Sequence, residues 1–394
     1  MNTGCHRVLI ATFLCICSAV LYAAEPEPLG HLIEPGYTPE DAADEQGLWL
    51  EIKEYERSLN QSALLVRQAE LRNYIEGIVC RVAADYCNDF RVYLVRNPGF
   101  NASMTATGMM QIWTGLIVRA SSTDEIAAVF GHEIAHYTRL HSLQGFRRLK
   151  SQMASASVLD LGLTILTGVP VPLGQASALL NYLAFNRQQE TEADLLGVQL
   201  VAAAAYDPHA SYRVWNQLQQ EENAAAVKRE KAGVFSQTHP NSEARAEYLL
   251  QYVSQEFGPA DVEQVADQAL LNILNNHYLF LMEDQLDTNR FGRTREILVR
   301  HTKLGVKPGL VNYFFGETYR QRDEPGDREL AIAAYTKSTE SDGSPPQTFK
   351  NLGYLHLKAG DVPLAQKYFR EYLEAQPDAS DRAMIEFYLE DQES

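Results

Sequence analysis

The chain has 394 residues, of which 45% are hydrophobic and 22% charged, a composition that excludes a disordered protein and a length that allows two domains. Its formal net charge of -17 argues against a nucleic-acid partner, because phosphate binding requires a basic face.

The N-terminus differs from the rest of the chain. An almost wholly apolar run, Val8 to Leu21, follows a weakly basic start and ends in Tyr22-Ala23-Ala24. This pattern predicts a secretory signal peptide over residues 1–24. The run is shorter than the ~20 apolar residues of a spanning helix, although a retained membrane anchor is the alternative.

Removal of that segment leaves Cys80 and Cys87 as the two cysteines of the exported chain. An even pair of cysteines in an exported protein favours a disulfide. Two buried free thiols are the alternative.

Three elements are predicted before the first motif. An amphipathic helix carries Leu71, Ile75, Ile78 and Val82 on one face. Two strand-like runs follow, Phe90 to Val95 and Met109 to Thr114, with a turn at Asn97-Pro98-Gly99 between them. We therefore expect a small β-sheet in a mainly helical protein.

A second helix begins with a predicted capping box, in which Ser122 is the cap and Glu125 lies three residues later. It contains His132, Glu133 and His136 in the HExxH pattern. One helical turn separates the two histidines, so both rings can reach one zinc ion, and Glu133 is placed to take a proton from the attacking water. An apolar stripe along this helix predicts burial on one side with a cleft beside the histidines.

The stretch Ala154 to Leu183 is rich in Leu, Val and Ala, but Asp160 and several Gly and Pro residues interrupt it. A simple spanning helix is therefore disfavoured. Two interpretations stay open: two core helices joined by a turn, or an apolar surface that contacts lipid or substrate.

A catalytic zinc site needs a third protein ligand. His141 lies five residues after His136, which on a continuous helix places it away from the site. Glu190 and Asp194 share one face of a later helix, so one carboxylate can bind the metal while the other hydrogen-bonds a ligand imidazole. Taken alone, such a pair is better explained as an acidic patch on a solvated surface.

The order of five segments resembles that of the HtpX-like gluzincin metalloproteases, over about residues 64–252. They are Asn101-Ala102, Gly115-Leu116, Asp124 to His136, Glu190 to Asp194, and Thr238-His239-Pro240 with Arg245. The resemblance implies a zincin-like protease domain, predicted over residues 38–255, with one Zn²⁺ per chain. It implies that Glu190 is the third zinc ligand and that Asp194 supports a ligand.

His239 and Arg245 match the family's His-Pro with a following Arg. An imidazole near the metal can donate to an oxyanion, or it can act as a latch in the open position of the zinc; an Arg can hold the loop or a substrate carbonyl. Loop structure is the alternative for both residues. We expect the substrate to add as a strand beside Met109 to Thr114.

From about Val262 the pattern changes to paired helices, predicted as a tetratricopeptide-repeat solenoid over residues 262–394. Small and aromatic residues recur with the 34-residue spacing of such repeats. They are Phe349, Leu352, Gly353, His356, Ala365, Phe369 and Pro377, with an imperfect upstream set of Phe315, Gly316, Tyr319, Ala331 and Tyr335. Stacked helix pairs leave a concave groove for extended partners.

Export signal, protease domain and repeats together resemble periplasmic quality-control proteases of Gram-negative bacteria. This implies unfolded or stalled outer-membrane proteins as substrates, and repeats that dock on the assembly machinery. We also expect that the protein can contact a membrane peripherally and that it has no nucleic-acid partner. A chaperone or adaptor with a structural zinc and partner-binding repeats is the alternative function.

Overall fold

The computed structural model describes most of the chain between residues 30 and 390. The described ranges are 30–39, 43–153, 186–224, 239, 243–259 and 267–390. The predicted signal peptide and the Ala154 to Leu183 stretch lie outside the described residues.

The first part of the chain combines helices with a small sheet, and a 3-10 helix (Ala84–Asp89) precedes the first strand. Its helices are α1 (Ala43–Asn60), α2 (Ala69–Ala83), α3 (Thr114–Arg119), α4 (Thr123–Thr138), α5 (His141–Met153), α6 (Arg187–Ala203), α7 (Ala210–Asn223) and α8 (Glu243–Phe257). Its strands are β1 (Arg91–Val95), β2 (Ala102–Met104) and β3 (Met109–Trp113). The predicted mainly helical fold with a small sheet is confirmed.

The sheet has the strand order β1-β3-β2, so β3 lies in the centre. It pairs with β1 in parallel, Arg91 opposite Met109, and with β2 antiparallel, Ala102 opposite Ile112. Every residue of β3 is buried, and all of them except Gln111 are apolar. Both hydrogen-bonding edges of β3 are therefore occupied, and the expectation that a substrate adds beside Met109 to Thr114 is wrong.

Helix α4 is the central helix of this part of the fold. It packs against α2, α6, α7 and β2, and every residue from Glu125 to Thr138 is buried. Burial on one side only, which the apolar stripe predicts, is therefore wrong. The polar residues of α4 face a closed interior rather than an open cleft.

The predicted capping box at the start of α4 is half correct. The Ser122 side chain accepts a hydrogen bond from the Glu125 backbone N–H at 3.3 Å. The Glu125 carboxylate, however, accepts from the Ser121 backbone at 2.7 Å rather than from Ser122. It is buried against Gln217 of α7, so a packing contact draws the Glu125 side chain away from the cap position.

Cys80 and Cys87 are joined by a disulfide between the end of α2 and the 3-10 helix that precedes β1. Such a bond stabilises the fold chiefly by restricting the unfolded chain, by about 2 kcal/mol for a loop this short.

In the second part of the chain, helices are the only regular secondary structure among the described residues. It consists of α9 (Gln268–Leu286), α10 (Phe291–Leu304), α11 (Pro308–Arg322), α12 (Asp327–Thr339), α13 (Gln347–Lys358), α14 (Val362–Ala375) and α15 (Arg382–Glu390). The pairs α11–α12 and α13–α14 form hairpins in which a glycine admits an aromatic ring. A Cβ at Gly316 would lie 2.4 Å from Tyr335, and one at Gly353 would lie 2.4 Å from Phe369. The assignment of these hairpins to tetratricopeptide repeats remains a prediction.

The two parts share a continuous hydrophobic core, which extends from α4 to α9 and α10. Buried polar contacts reinforce it. Arg119 of α3 donates to Glu221 at 2.9 Å and to Gln285 of α9 at 2.9 Å. His301 of α10 lies 2.8 Å from the Val118 carbonyl oxygen. Among the described residues, no helix has both the length and the apolar character that crossing a membrane requires.

Candidate metal centre

Helices α4 and α6 supply most of the polar side chains of the site. Helix α6 starts with a complete capping box between Asn186 and Gln189, which places Glu190 in its first turn. The two helices cross where Gly131 faces Gly197; a Cβ on Gly131 would lie 2.8 Å from the Gly197 carbonyl oxygen. This close approach brings Glu190 next to the histidines of α4.

Four buried side chains converge at this crossing: His132, His136, Glu190 and His239. One ligand atom from each lies within 4.8 Å of the others. His132 Nε2 is 3.0 Å from His136 Nε2 and 3.1 Å from His239 Nδ1. Glu190 Oε1 is 3.4 Å from His136 Nε2 and 2.9 Å from His239 Nδ1.

These separations fit a tetrahedral zinc site. Zinc bonds to nitrogen and oxygen are about 2.0 to 2.1 Å long, so the ligand atoms of a tetrahedron lie about 3.3 Å apart. Unprotonated imidazole nitrogens at these separations would repel each other through their lone pairs unless a cation or a proton lay between them. The residues present therefore fit zinc, and His239 Nδ1 lies at the corner that a catalytic site leaves to water.

Glu133 lies beside this cluster and is 1% exposed. Its Oε2 accepts a hydrogen bond from the Met104 backbone N–H at 3.1 Å. Its Oε1 lies 3.5 Å from His239 Nε2, and no described residue donates a hydrogen bond to it. Burial raises the pKa of Glu133, against the opposing effect of His239. A carboxylate with a raised pKa and one unpaired oxygen is suited to accept a proton.

Asp194 lies behind His132, one turn after Glu190 on α6. Its Oδ1 is 2.9 Å from His132 Nδ1, on the side of the ring opposite to the metal cluster. Tyr248 also donates to Asp194. Burial alone would raise the pKa of Asp194, but the charge of Arg245 and the His132 hydrogen bond lower it to about 2, so Asp194 is ionised.

Arg245 is buried against two carboxylates of α6, those of Asp194 and Glu190. It donates to Asp194 through Nε and Nη2 at 2.7 and 2.6 Å, and its Nη1 is 2.8 Å from Glu190 Oε2. Its guanidinium carbon lies 3.7 Å from the centre of the Trp215 ring. Arg245 was expected to hold its loop or a substrate carbonyl, but in the structure its donors face the carboxylates of Asp194 and Glu190.

His141 belongs to the site, contrary to the placement expected from a continuous helix. Its Nδ1 lies 2.9 Å from His136 Nδ1, and the residue is fully buried. The expectation is wrong because α4 ends at Thr138 and Leu140 takes a left-handed conformation, with φ of 55°. This turn starts α5 at His141 and directs the ring back toward His136.

Three further residues of the site carry no recognisable sequence signal. Trp215 and Tyr248 lie on α7 and α8, and each contacts Arg245 or Asp194. Ser142 donates to the Met104 carbonyl oxygen at 3.3 Å. Helical periodicity identifies Trp215 and Tyr248 only as apolar-face residues, so the structure is needed to place them here.

The sequence between residues 65 and 253 matches the profile of peptidase family M48, a range that contains every residue of the site. The chain is 30% identical over 189 residues to the mitochondrial metalloendopeptidase OMA1 of Schizosaccharomyces pombe, a match that covers 46% of this chain and 52% of the relative.

Two bacterial relatives match the same part of the chain. Identity to the beta-barrel assembly-enhancing protease of Escherichia coli K12 is 29% over 169 residues, covering 40% of this chain and 34% of the relative. Identity to the putative beta-barrel assembly-enhancing protease of Vibrio cholerae is 26% over 202 residues, covering 48% of this chain and 41% of the relative. The chain thus spans about half or less of the length of these relatives.

Proposed function

We propose that the chain is a zinc-dependent metalloendopeptidase of peptidase family M48, whose profile residues 65–253 match, and that His132, His136 and Glu190 hold its metal. One observation carries the proposal: these three side chains and His239 meet inside the protein at the separations of a tetrahedral ligand set. A surface patch of acidic and imidazole groups would not be buried in this way.

The chemistry follows from the positions of the side chains. His132, His136 and Glu190 would hold a zinc ion, which would lower the pKa of a water molecule and polarise the carbonyl of the scissile peptide. Glu133 accepts a proton from the attacking water and donates it to the leaving nitrogen. Asp194 holds the proton of His132 on Nδ1, which leaves Nε2 free to bind the metal. Arg245 balances the charge of Asp194 and Glu190.

The free edge of β2 is the proposed binding edge for an extended substrate. Within the described residues, β2 pairs with β3 on one side, and no strand covers its other edge. On that free edge the Met104 N–H donates to Glu133. A substrate strand beside β2 would take over such backbone groups and would place its own peptide next to Glu133 and the metal ligands.

His239 is the proposed latch of the site. Its Nδ1 lies 3.1 Å from His132 Nε2 and 2.9 Å from Glu190 Oε1, in the fourth corner of the ligand set. An imidazole in this corner excludes the attacking water, so His239 must move away before Glu133 can act. With His239 in this corner, the enzyme would be in a resting form.

The biological setting is the periplasm, where we infer a role in the quality control or assembly of outer-membrane proteins. Support comes from the sequence of residues 1–24, which has the features of a secretory signal, and from the two bacterial relatives with beta-barrel assembly in their names. The helical hairpins of α11 to α14 would dock the protease on the assembly machinery or on stalled substrates.

The test is the zinc content and proteolytic activity of the purified chain. We expect one zinc per chain, cleavage of an unfolded polypeptide such as casein, loss of cleavage after chelation, and recovery with added zinc. A chain that holds zinc tightly and protects an unfolded polypeptide from aggregation without cleaving it would instead be the chaperone or adaptor.

A further inference from the structure

A chain of hydrogen bonds, called the line below, connects the ligand imidazole of His136 to His141 and then to Glu192. His136 directs Nε2 toward the other ligands and Nδ1 toward His141, whose Nδ1 lies 2.9 Å away. His141 Nε2 in turn lies 3.3 Å from Glu192 Oε2. The line therefore runs from a metal ligand through a buried imidazole to a carboxylate that is 20% exposed.

The outer end of this line is held in place from two sides. Arg139 donates to Glu192 Oε2 at 3.1 Å and to the Gly30 carbonyl oxygen at 2.9 Å. Gln188, one turn earlier on α6, donates to Glu192 Oε1 at 3.0 Å. Glu192 is thus fixed between α6 and the chain segment that follows α4.

We propose that His141 and Glu192 are positioning residues for the metal ligand His136. The inference rests on the zinc site of the proposed function, but it assigns roles to two residues outside the HExxH pattern and the Glu190–Asp194 pair. His132 has the carboxylate of Asp194 directly against its Nδ1. His136 is connected to the carboxylate of Glu192 through one additional imidazole.

A single assignment of protons satisfies every contact in the line. To bind a metal through Nε2, His136 must carry its proton on Nδ1 and donate it. The acceptor at 2.9 Å is His141 Nδ1, so His141 carries its proton on Nε2 and donates to Glu192. The opposite tautomer of His141 would bring two N–H groups together at 2.9 Å, and Glu192 disfavours it by accepting at Nε2.

The line fixes both the tautomer and the ring orientation of His136. Loss of a hydrogen-bond partner behind a ligand imidazole typically weakens metal binding about 10- to 100-fold. We therefore expect the effect in zinc affinity itself, whether or not the site is proteolytically active.

Three variants separate the two links of the line. His141→Phe fills the same volume without an acceptor, and its zinc dissociation constant should rise about 10- to 100-fold. His141→Asn keeps an acceptor near the Nδ1 position but loses the contact with Glu192. Glu192→Gln preserves shape but removes the negative charge and replaces one of the two carboxylate oxygens by an NH2 group, which weakens Glu192 as an acceptor. Both of these should raise the constant by a smaller factor, about three- to tenfold.

The measurement is competition for zinc between each purified full-length variant and a chromogenic chelator, with circular dichroism as the check of folding. The matched control is His277→Phe, which removes another histidine that contacts a carboxylate, Glu70 at 2.9 Å, away from the metal centre. The control should keep the affinity of the wild type. The double variant His141→Phe with Glu192→Gln should bind zinc no more weakly than His141→Phe, because Glu192 acts through His141.

Wild-type affinity in both His141→Phe and Glu192→Gln would overturn the inference. If His141→Phe does not fold, Glu192→Gln decides alone, and an unchanged constant there refutes the proposed line. A wild-type chain that binds no zinc would contradict the proposed function instead, so the two failures are distinguishable.

Discussion

Gly131 of α4 and Gly197 of α6 face each other where the two helices of the candidate metal centre cross. A Cβ on Gly197 would lie 2.8 Å from the His132 backbone nitrogen, and one on Gly131 would lie 2.9 Å from the Val201 side chain. Neither glycine has a backbone conformation that requires glycine, so the absence of a side chain is what matters here. The distance between the helices determines whether Glu190 reaches the histidines.

Replacement of Gly197 by alanine should therefore damage both the fold and the metal site. The added methyl group meets backbone atoms that cannot move aside, so we expect a loss of about 1 to 3 kcal/mol in unfolding free energy. Zinc affinity should fall as well, because α6 carries Glu190. Urea denaturation and zinc competition measure the two effects.

The matched control is Gly77→Ala on the exposed face of α2, where an added Cβ would have no heavy atom within 4 Å. Alanine is the better helix former, so this variant should be as stable as the wild type or up to about 1 kcal/mol more stable. Equal behaviour of the two variants would show that the close approach of α4 and α6 is unimportant.

Replacement of Gly353 in the α13–α14 hairpin should reduce stability without affecting the metal site, unlike replacement of Gly197. Gly353→Ala would place a methyl group 2.4 Å from Phe369, so α13 and α14 should separate, at a cost of about 1 to 3 kcal/mol. The metal centre uses no residue of these helices, and we expect an unchanged zinc dissociation constant. Urea denaturation and zinc competition on this variant and on Gly197→Ala would separate hairpin packing from site assembly. A large loss of zinc affinity in Gly353→Ala would contradict this independence.

The latch hypothesis predicts a gain of activity from His239→Ala. Three metal ligands remain in this variant, while the imidazole that occupies the fourth corner is gone. If the closed form accounts for about nine-tenths of the molecules, cleavage of an unfolded polypeptide should accelerate about tenfold. Initial rates at saturating zinc provide the measurement, with His277→Ala as a control of unchanged rate. A lower rate would favour a role for His239 in the reaction itself, and an unchanged rate would exclude both roles.

His301 makes the contact between α10 and α3 sensitive to acid. Its Nδ1 accepts from the Tyr278 hydroxyl at 2.8 Å, and its Nε2 donates to the Val118 carbonyl at 2.8 Å, so the neutral ring satisfies both partners. Burial lowers its pKa to about 3. The unfolded chain, with an ordinary pKa of about 6.5, therefore binds the proton more tightly than the folded chain.

Because the folded-state pKa is the lower one, this stability is fully present above about pH 6.5 and is lost as the pH falls toward 3. By pH 5 the loss should be about 2 kcal/mol. Urea denaturation at pH 7.5 and pH 5 of the wild type and of His301→Gln measures it, since the glutamine variant lacks this group. The same pH dependence in both proteins would disprove the assignment to His301.

Local patterns predicted much of the fold and singled out His132, His136, Glu190 and Asp194, which the structure brings together in the candidate metal centre. Helical periodicity and strand alternation identified α2, α4, β1 and β3, since these depend on contacts a few residues apart. The pairing of Glu190 with Asp194 on one face of α6 follows from the same periodicity. The glycines and aromatic residues of the hairpins also occupy the expected positions, at Gly316 against Tyr335 and Gly353 against Phe369.

Features that depend on tertiary packing were not predictable. On a helical wheel, the polar residues of α4 lie at the edge of the apolar face, where side chains usually contact water. Periodicity cannot show that these side chains instead form a buried polar cluster. His141 was misplaced because α4 ends without a glycine cap, through a left-handed Leu140 that no local pattern indicates. In the sheet β3 lies between β1 and β2, although β2 lies between β1 and β3 in the sequence. The order of the strands along the chain does not reveal this arrangement.

The most direct test of the proposed enzyme compares Glu133→Gln and Glu190→Gln with the wild type, by zinc content and by cleavage of an unfolded polypeptide. Glu133→Gln should retain one zinc per chain and lose cleavage by a factor of about 100 or more, because only the proton acceptor is removed. Glu190→Gln should lose both zinc and cleavage, because a metal ligand is removed. Full cleavage by Glu133→Gln, or full zinc and cleavage in Glu190→Gln, would contradict the assignment.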